Sequence, residues 1–482
     1  MDDELYRKYG LGSEKRPFYR KSSFYLKLIS LTITIVLAIY FGFRSPSKKE
    51  MSVIVTRAVE TAMTEYGISP PRSYEDIKRA INKEYIKVDS AVWKEIEYAE
   101  EALINESFVE AESLYKALIE VFPKVVELRF NLAATYQLQG KFDMALKEWT
   151  KLIEMDSANA DAHSNLGVLY AFLGKYAEAE KEFKKAININ ENLSSAHNNL
   201  GTLLFQLGRS HEAEKSLRKA LENNPDDATT HYNLGTTLIY LKKYNEAEVE
   251  LRKTLEIDSN CVSARLNLGI ALSGLERYTE AEEELLTVIA VDSSSAKAHY
   301  TLGTFYKDRL RFQEAERELK IALKLKPDYF DAHQNLGALL AESRRYPEAE
   351  KEFRDAIRID STNVAAHFNL GGVLMNLARF PEAEKELRQA TTLDPNDTVA
   401  HLNLCSVLFR LDRYAEAMKE CKKALRLNPY LAEAHANLGH IYKKRGFKFV
   451  AKKELRKARE LFNSQGKVGD AQVVEGLLKE LE

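Results

Sequence analysis

The chain has 482 residues, of which 45% are hydrophobic and 29% charged, and its formal net charge at pH 7 is −2. This nearly neutral charge gives no sign of a basic nucleic-acid-binding surface, so no nucleic-acid partner is expected. The three cysteines are an odd number without short spacing, which predicts neither a disulfide framework nor a cysteine metal site.

The first predicted element is an apolar helix at residues 24–43, which follows a charged tail at residues 1–23. It contains one charge, Lys27, and a stretch of about 20 residues can span a bilayer. A signal peptide is the alternative, but the long charged tail and the lack of a small-residue cleavage site favour a retained anchor. The flanking basic residues slightly favour an inside N-terminus. We therefore expect a single-pass membrane protein.

Residues 44–91 are predicted to form a helical linker. An apolar stripe at helical spacing runs from Met51 to Tyr66, and it could lie on the membrane, pair as a coiled coil or pack on the first repeat. Packing on the first repeat is the preferred interpretation. Gly67 and two prolines end the stripe, and Ser73 with Asp76 predicts a capping box before another helix.

A motif then returns every 34 residues, without insertion or deletion, over residues 92–465. In the unit 160–193, two apolar stripes at helical spacing are separated by Gly174, so each unit is predicted to be a hairpin of two short helices. One hairpin cannot bury its apolar stripe alone, so the hairpins must stack. The marker of the second helix is an alanine, at Ala111, Ala145, Ala179, Ala213, Ala247, Ala281, Ala315, Ala349, Ala383, Ala417 and Ala451.

The unit resembles the tetratricopeptide repeat, because Leu166, Gly167, Tyr170, Ala179 and Phe183 follow that family's pattern in order. Histidine replaces the family's early tryptophan. The resemblance implies an all-α, right-handed α-solenoid of about eleven 34-residue helical hairpins, here preceded by one transmembrane helix. Residues 466–482 are predicted to form a capping helix over the last hairpin.

No motif for catalysis is found: the sequence has no phosphate loop after a strand, no nucleophile elbow and no HExxH. We therefore expect no enzyme activity, no cofactor and no metal. Glutamates four residues before a base, as in Glu180–Lys184, are interpreted as solvated surface pairs. Cys405 and Cys421 replace the repeat's glycine and its apolar residue, so they are predicted to be small core residues.

Eight of the ten histidines occupy one repeat position. They are predicted to be packing residues with a polar edge, and a pH-sensing row is the alternative. A shared metal is not expected, because equivalent helices are separated by about one 8–10 Å helix spacing or more. The eight are His163, His197, His231, His299, His333, His367, His401 and His435.

The candidate binding site is a row of asparagines directly before the repeat's leucine. The tetratricopeptide resemblance places this position in the inner groove, and the row is similar to the asparagine ladder of O-linked N-acetylglucosamine transferase. A carboxamide offers one acceptor and two donors, which match a peptide group whatever its side chain. A purely structural role is the alternative. The row comprises Asn131, Asn165, Asn199, Asn233, Asn267, Asn335, Asn369, Asn403 and Asn437.

The predicted function is therefore a membrane-anchored scaffold that binds extended polypeptide segments in its groove. The alternative is a non-catalytic substrate receptor or assembly subunit of an enzyme complex, such as a glycosyltransferase system. Residues 89–120 carry nine acids against two bases, and residues 443–467 carry ten bases against two acids. This polarity predicts possible head-to-tail self-association, which salt would weaken.

Overall fold

The computed structural model describes residues 67–85 and 88–481, and this part of the chain contains 24 α-helices and no strand. The helices are α1 (Tyr74–Glu84), α2 (Ser90–Ile104), α3 (Phe108–Val121), α4 (Val126–Leu138), α5 (Phe142–Met155), α6 (Ala160–Phe172), α7 (Tyr176–Ile189), α8 (Ser194–Gln206), α9 (Ser210–Asn223), α10 (Ala228–Tyr240), α11 (Tyr244–Ile257), α12 (Val262–Gly274), α13 (Tyr278–Val291), α14 (Ala296–Asp308), α15 (Phe312–Leu325), α16 (Phe330–Glu342), α17 (Tyr346–Ile359), α18 (Val364–Asn376), α19 (Phe380–Leu393), α20 (Thr398–Arg410), α21 (Tyr414–Leu427), α22 (Ala432–Lys444), α23 (Lys448–Ser464) and α24 (Val468–Lys479).

The helices form a repeat solenoid, as the 34-residue period predicts. Two compact units are described separately: an N-terminal unit that ends at Glu284 and a C-terminal unit that begins at Leu285. Within each unit the two helices of a hairpin pack on each other, and the second helix packs on the first helix of the next hairpin. The predicted capping box at Ser73 is confirmed, because its side chain and that of Asp76 each accept from the other's backbone N–H.

Each hairpin turns through a residue in the left-handed region of backbone conformation. Gly174 does so with a φ of 75°, but seven repeats place a side chain there, for example Leu310 with a φ of 59°. The recurring positions are Glu106, Gly140, Gly174, Gly208, Lys242, Glu276, Leu310, Arg344, Ala378, Asp412 and Gly446.

The small residue of the first helix permits close approach of the second helix. A Cβ on Gly201 would lie 2.6 Å from Leu217 Cγ, closer than real contacts allow. In the hairpin α20–α21 the same pair of positions holds Cys405 and Cys421, which are fully buried and joined by a disulfide. The prediction that both are core residues is confirmed, whereas the odd cysteine count did not indicate the disulfide between them. Counting cysteines could not reveal this pair, because stacking of the two helices brings their Cα atoms to 5.3 Å.

The expected surface pairs are more than local helix contacts. Glu180 accepts hydrogen bonds from Lys184 on its own helix and from Arg209 at the next hairpin, each at 2.7 Å. Arg209 also donates to Glu212. The Glu180 side chain is only 17% exposed, and the hydrogen bonds from Lys184 and Arg209 lower its pKa. Such bridges link successive hairpins, which sequence spacing within one helix could not show.

The predicted single-pass membrane localisation is corrected. In residues 67–85 and 88–481, no helix combines the length and the apolar character needed to cross a membrane. The segment 24–43 that motivated the prediction, its orientation and the stripe from Met51 to Tyr66 lie outside the described residues.

Candidate functional site

Three asparagines of the row hold the main chain of one short segment, residues 67–73, in the N-terminal unit. Asn199 Nδ2 donates to the Gly67 carbonyl at 2.6 Å, and the Ser69 N–H donates to Asn165 Oδ1 at 2.8 Å. Asn131 makes two bonds with one residue: Oδ1 accepts from the Arg72 N–H at 2.7 Å, and Nδ2 donates to the Arg72 carbonyl at 2.8 Å. These four hydrogen bonds involve only backbone groups of the segment.

The segment is positioned from both sides. Ile68 is buried and belongs to the same core cluster as Ile77 and Ile81 of α1. Helix α1 packs on α2 and α4, and its N-cap Ser73 is the last residue of the segment. Asn131, Asn165 and Asn199 lie on α4, α6 and α8, the first helices of three successive hairpins. The 34-residue period thus sets the spacing of the asparagines, while α1 anchors the segment that they contact.

Two side chains of the segment share one acid, Asp161 on α6. Ser69 Oγ donates to Asp161 Oδ1 at 3.0 Å, and the Arg72 guanidinium donates to Asp161 Oδ2 at 2.7 Å. The Arg72 guanidinium also lies 4.4 Å from the centre of the Phe130 ring, a cation–π distance. Sequence analysis missed Asp161, although it lies one helical turn before Asn165 and therefore on the same helix face.

Five of the other six asparagines donate to side chains of the preceding repeat. Asn233 donates to Asn198 Oδ1 at 2.9 Å, and Asn267 donates to Thr236 at 2.8 Å. In the C-terminal unit, Nδ2 atoms donate to the preceding repeat: Asn335 to Tyr300 at 3.0 Å, Asn369 to Gln334 at 3.3 Å and Asn437 to Ser406 at 2.9 Å. Asn403 is half-buried. The amide nitrogen therefore has a structural role in many repeats.

The carbonyl oxygens of the row differ in availability. Lys307 donates to Asn335 Oδ1 at 2.8 Å. The Oδ1 atom of Asn267 is buried and has no hydrogen-bond partner among the described residues. In Asn131 and Asn165 this oxygen is the atom that accepts an N–H from residues 67–73. A free oxygen at this repeat position is thus chemically suited to accept a main-chain N–H.

The histidine row is packed and hydrogen-bonded, as expected for packing residues with a polar edge. In seven members Nδ1 lies 2.5 to 2.7 Å from a glutamate and Nε2 faces a backbone carbonyl. For His231 the carbonyl is that of Pro225, at 2.8 Å. Because both partners of His231 are acceptors, both of its ring nitrogens are best satisfied when they carry protons. Arg129 and Arg265 occupy the same position and pair with Glu148 and Glu284, so a contact with this glutamate is the common feature.

Electrostatics agree with this geometry at two members of the row. Burial disfavours the charged form of His231, but the hydrogen bonds to Glu250 and Pro225 outweigh it, so its pKa is raised. The same balance, with Glu352 and Pro327 as partners, raises the pKa of His333.

One group in the described chain has three potential metal ligands, His333, Glu352 and Asp355, whose ligand atoms lie within 4.8 Å of one another. His333 already bonds Glu352 at 2.7 Å, and Asp355 pairs with Arg358 at 3.0 Å. These contacts explain the cluster as an extension of the histidine–glutamate pairing.

Comparisons with known proteins agree with the repeat geometry. Tetratricopeptide repeat models match residues 125–192, 158–224 and 192–260, residues 300–364 and residues 340–408, and a TPR repeat model matches residues 406–446. The matches together cover more than half of the chain, which therefore belongs to the tetratricopeptide repeat family.

Several solved structures are similar to this chain. YrrB, described as a TPR protein with an unusual peptide-binding site, is 25% identical, with a TM-score of 0.34 and coverage of 38% of this chain and 95% of YrrB. The APC/C hetero-tetramer Cut9–Hcn1 is 13% identical, with a TM-score of 0.42 and coverage of 84% and 98%. Yeast Tom70 is 14% identical, with a TM-score of 0.38 and coverage of 82% and 97%. A comparison with curated proteins found no match.

Proposed function

We propose that this protein is a tetratricopeptide scaffold that binds extended polypeptide segments through its asparagine row and performs no chemistry of its own. The observation that carries the proposal is the docking of residues 67–73, whose backbone groups are held by Asn131, Asn165 and Asn199. Main-chain recognition of this kind tolerates different side chains, because every peptide group offers the same donor and acceptor.

The remaining asparagines would extend this function to other segments. Asn369 and Asn437 donate their Nδ2 to the preceding repeat, which orients the amide, and both side chains are half-buried rather than enclosed. An oriented amide loses little conformational entropy when a ligand arrives, which favours binding. Protein partners are the class that this arrangement suits, and the likeness to the ladder of O-linked N-acetylglucosamine transferase stays a prediction.

The test begins with peptides of about 12 residues selected for binding to the full chain. The affinity of the best ligand is then measured after alanine replacement of Asn131, Asn165 and Asn199, and separately of Asn335, Asn369 and Asn437. Three lost hydrogen bonds of about 0.5–1.5 kcal/mol each should weaken binding at least about tenfold in one of the two sets. N-methylation of contacted ligand amides should have a similar effect. Unchanged affinity in both folded variants would refute the proposal.

The alternative of a non-catalytic subunit of an enzyme complex uses the same groove and stays a prediction. Repeated copurification of one enzyme with the full chain would favour it. Head-to-tail self-association also stays a prediction, and sedimentation at low and high salt would test it.

A further inference from the structure

Residues 67–73 have the properties of a bound ligand. Their hydrogen bonds to Asn199, Asn165 and Asn131 follow in that order, so the segment runs opposite to the order of the repeats. The contacts fall at residues 67, 69 and 72, two to three residues apart. An extended chain covers about 7–10 Å in that distance, which matches the spacing of packed helices.

The composition of the segment fits the positions that it occupies. Pro70 and Pro71 have no N–H group, so the segment has no unpaired main-chain donor between Ser69 and Arg72. The proline pair also restricts the chain to extended conformations before binding, which reduces the entropy lost on docking. Both of the flanking N–H groups are paired with asparagine oxygens.

Three side-chain positions of the segment are selected by their surroundings. A Cβ on Gly67 would lie 1.9 Å from Asn199 Oδ1, and its φ of 66° also disfavours other residues. Ser69 and Arg72 both donate to Asp161, and Arg72 lies over Phe130. The subsites therefore select a glycine, a serine two residues later and an arginine three residues after that.

We propose that residues 67–73 are an intramolecular ligand that masks these subsites, and that the partner of the N-terminal unit is a polypeptide segment with the same Gly-x-Ser-x-x-Arg chemistry and prolines before the arginine. This inference rests on the proposed function and specifies the partner and regulation of its first three asparagines. The tethered segment competes at an effective concentration in the millimolar range. A partner's apparent affinity is reduced by the fraction of molecules in which the mask is closed.

The mask also explains why the site combines general and specific contacts. Asparagines provide main-chain bonds that any extended segment can make, whereas Asp161 requires a donor such as arginine. The Arg72–Asp161 pair is partly exposed, with about 30% of each side chain accessible, so a competing cation can reach it. An incoming segment can thus replace the internal arginine before the main-chain bonds exchange.

The experiment uses the full chain and a labelled peptide with the sequence Gly-Ile-Ser-Pro-Pro-Arg-Ser, acetylated at its N-terminus. Gly67→Val should release the mask, because the added atoms would overlap Asn199. Gly372→Val is the matched control, since a Cβ there meets no atom within 4 Å. Arg72→Glu is a second route to release, because it places two carboxylates together, and Lys83→Glu, at an exposed residue of α1, is its control. Hydrogen exchange of the Ser69 and Arg72 amides reports whether the mask is open.

We expect Gly67→Val and Arg72→Glu to accelerate amide exchange and to raise the affinity for the peptide about tenfold or more over the unmodified chain and the two controls. Adding Asp161→Asn to Gly67→Val should remove most of the increase in peptide affinity. The inference is overturned if neither variant accelerates exchange, if opened variants bind the peptide no better than the unmodified chain, or if Asp161→Asn has no effect.

The outcome also separates this inference from the proposed function. If peptides bind equally to masked and opened chains but lose affinity when Asn335, Asn369 and Asn437 become alanine, the mask is refuted and main-chain recognition stands. If no asparagine replacement in either unit changes the binding of any selected peptide, the proposed function fails as well.

Discussion

The asparagines that contact residues 67–73 and those of the C-terminal unit differ in their partners although they occupy one repeat position. In the N-terminal unit, Asn131 and Asn165 accept N–H groups from residues 67–73 through Oδ1. In the C-terminal unit, Asn369 and Asn437 donate through Nδ2 to the preceding repeat. The repeat sets the position of the amide, whereas the chain lying beside it decides which of its atoms are used.

The largest effect is expected when the asparagines that contact residues 67–73 are replaced. Alanine at Asn131, Asn165 and Asn199 should cost the docked segment about 2–6 kcal/mol, because its main chain loses four hydrogen bonds. The same change at Asn335, Asn369 and Asn437 should leave the segment in place. Hydrogen exchange at Ser69 and Arg72 measures this difference, and equal protection in the two variants would contradict it.

The disulfide gives the C-terminal unit a constraint that equivalent positions of the N-terminal unit lack. Closing a loop of about 15 residues contributes up to about 3 kcal/mol, so reduction should destabilise the hairpin α20–α21 by roughly that amount. Denaturant unfolding with and without a reductant tests this effect. The double variant Cys405→Gly with Cys421→Leu, which restores the pair found at Gly201 and Leu217, should be insensitive to reductant. A reductant effect that persists in this variant would point to another cause.

The hairpin turns offer a smaller contrast, between one repeat of each unit. Leu310 in the C-terminal unit is 74% exposed and has a φ of 59°, whereas Gly174 in the N-terminal unit has a φ of 75°. A side chain in this conformation costs about 1 kcal/mol, so Leu310→Gly should stabilise and Gly174→Ala should destabilise by that amount. Thermal unfolding compares the two variants. Gly372→Ala is the control, because Gly372 lies inside α18 and has a negative φ. Destabilisation by Leu310→Gly would refute this explanation.

The smallest expected effect is common to both units. The folded-state pKa values of His231 and His333 are raised, so their contribution to stability is complete below the unfolded pKa of about 6.5 and is lost as pH rises through the raised value. Arginine at either position should keep the glutamate pair at higher pH, as Arg129 does with Glu148. Between pH 6 and pH 9 the free energy of unfolding should therefore fall less steeply in His231→Arg and His333→Arg than in the unmodified chain. Identical pH profiles would contradict a role for the protonated rings.

The 34-residue repeat in the sequence specifies the helical hairpins, their stacking and the repeat position of the asparagines. These features depend on contacts between residues that are close in the sequence. The same pattern of residues recurs in eleven units, so these contacts can be predicted from the sequence. The close approach of Gly201 to Leu217 follows from the same pattern, because both residues lie in one hairpin.

The segment that lies beside the asparagines is placed there by long-range contacts of the folded chain. The bonds from Arg72 to Asn131, from Ser69 to Asn165 and from Gly67 to Asn199 join residues 59, 96 and 132 positions apart. No local sequence pattern predicts these hydrogen bonds, because residues 67–73 are not part of the repeat. Their prolines are equally compatible with a simple helix boundary. Docking is decided by the match between one extended backbone and three amides, and that match exists only when the hairpins are stacked.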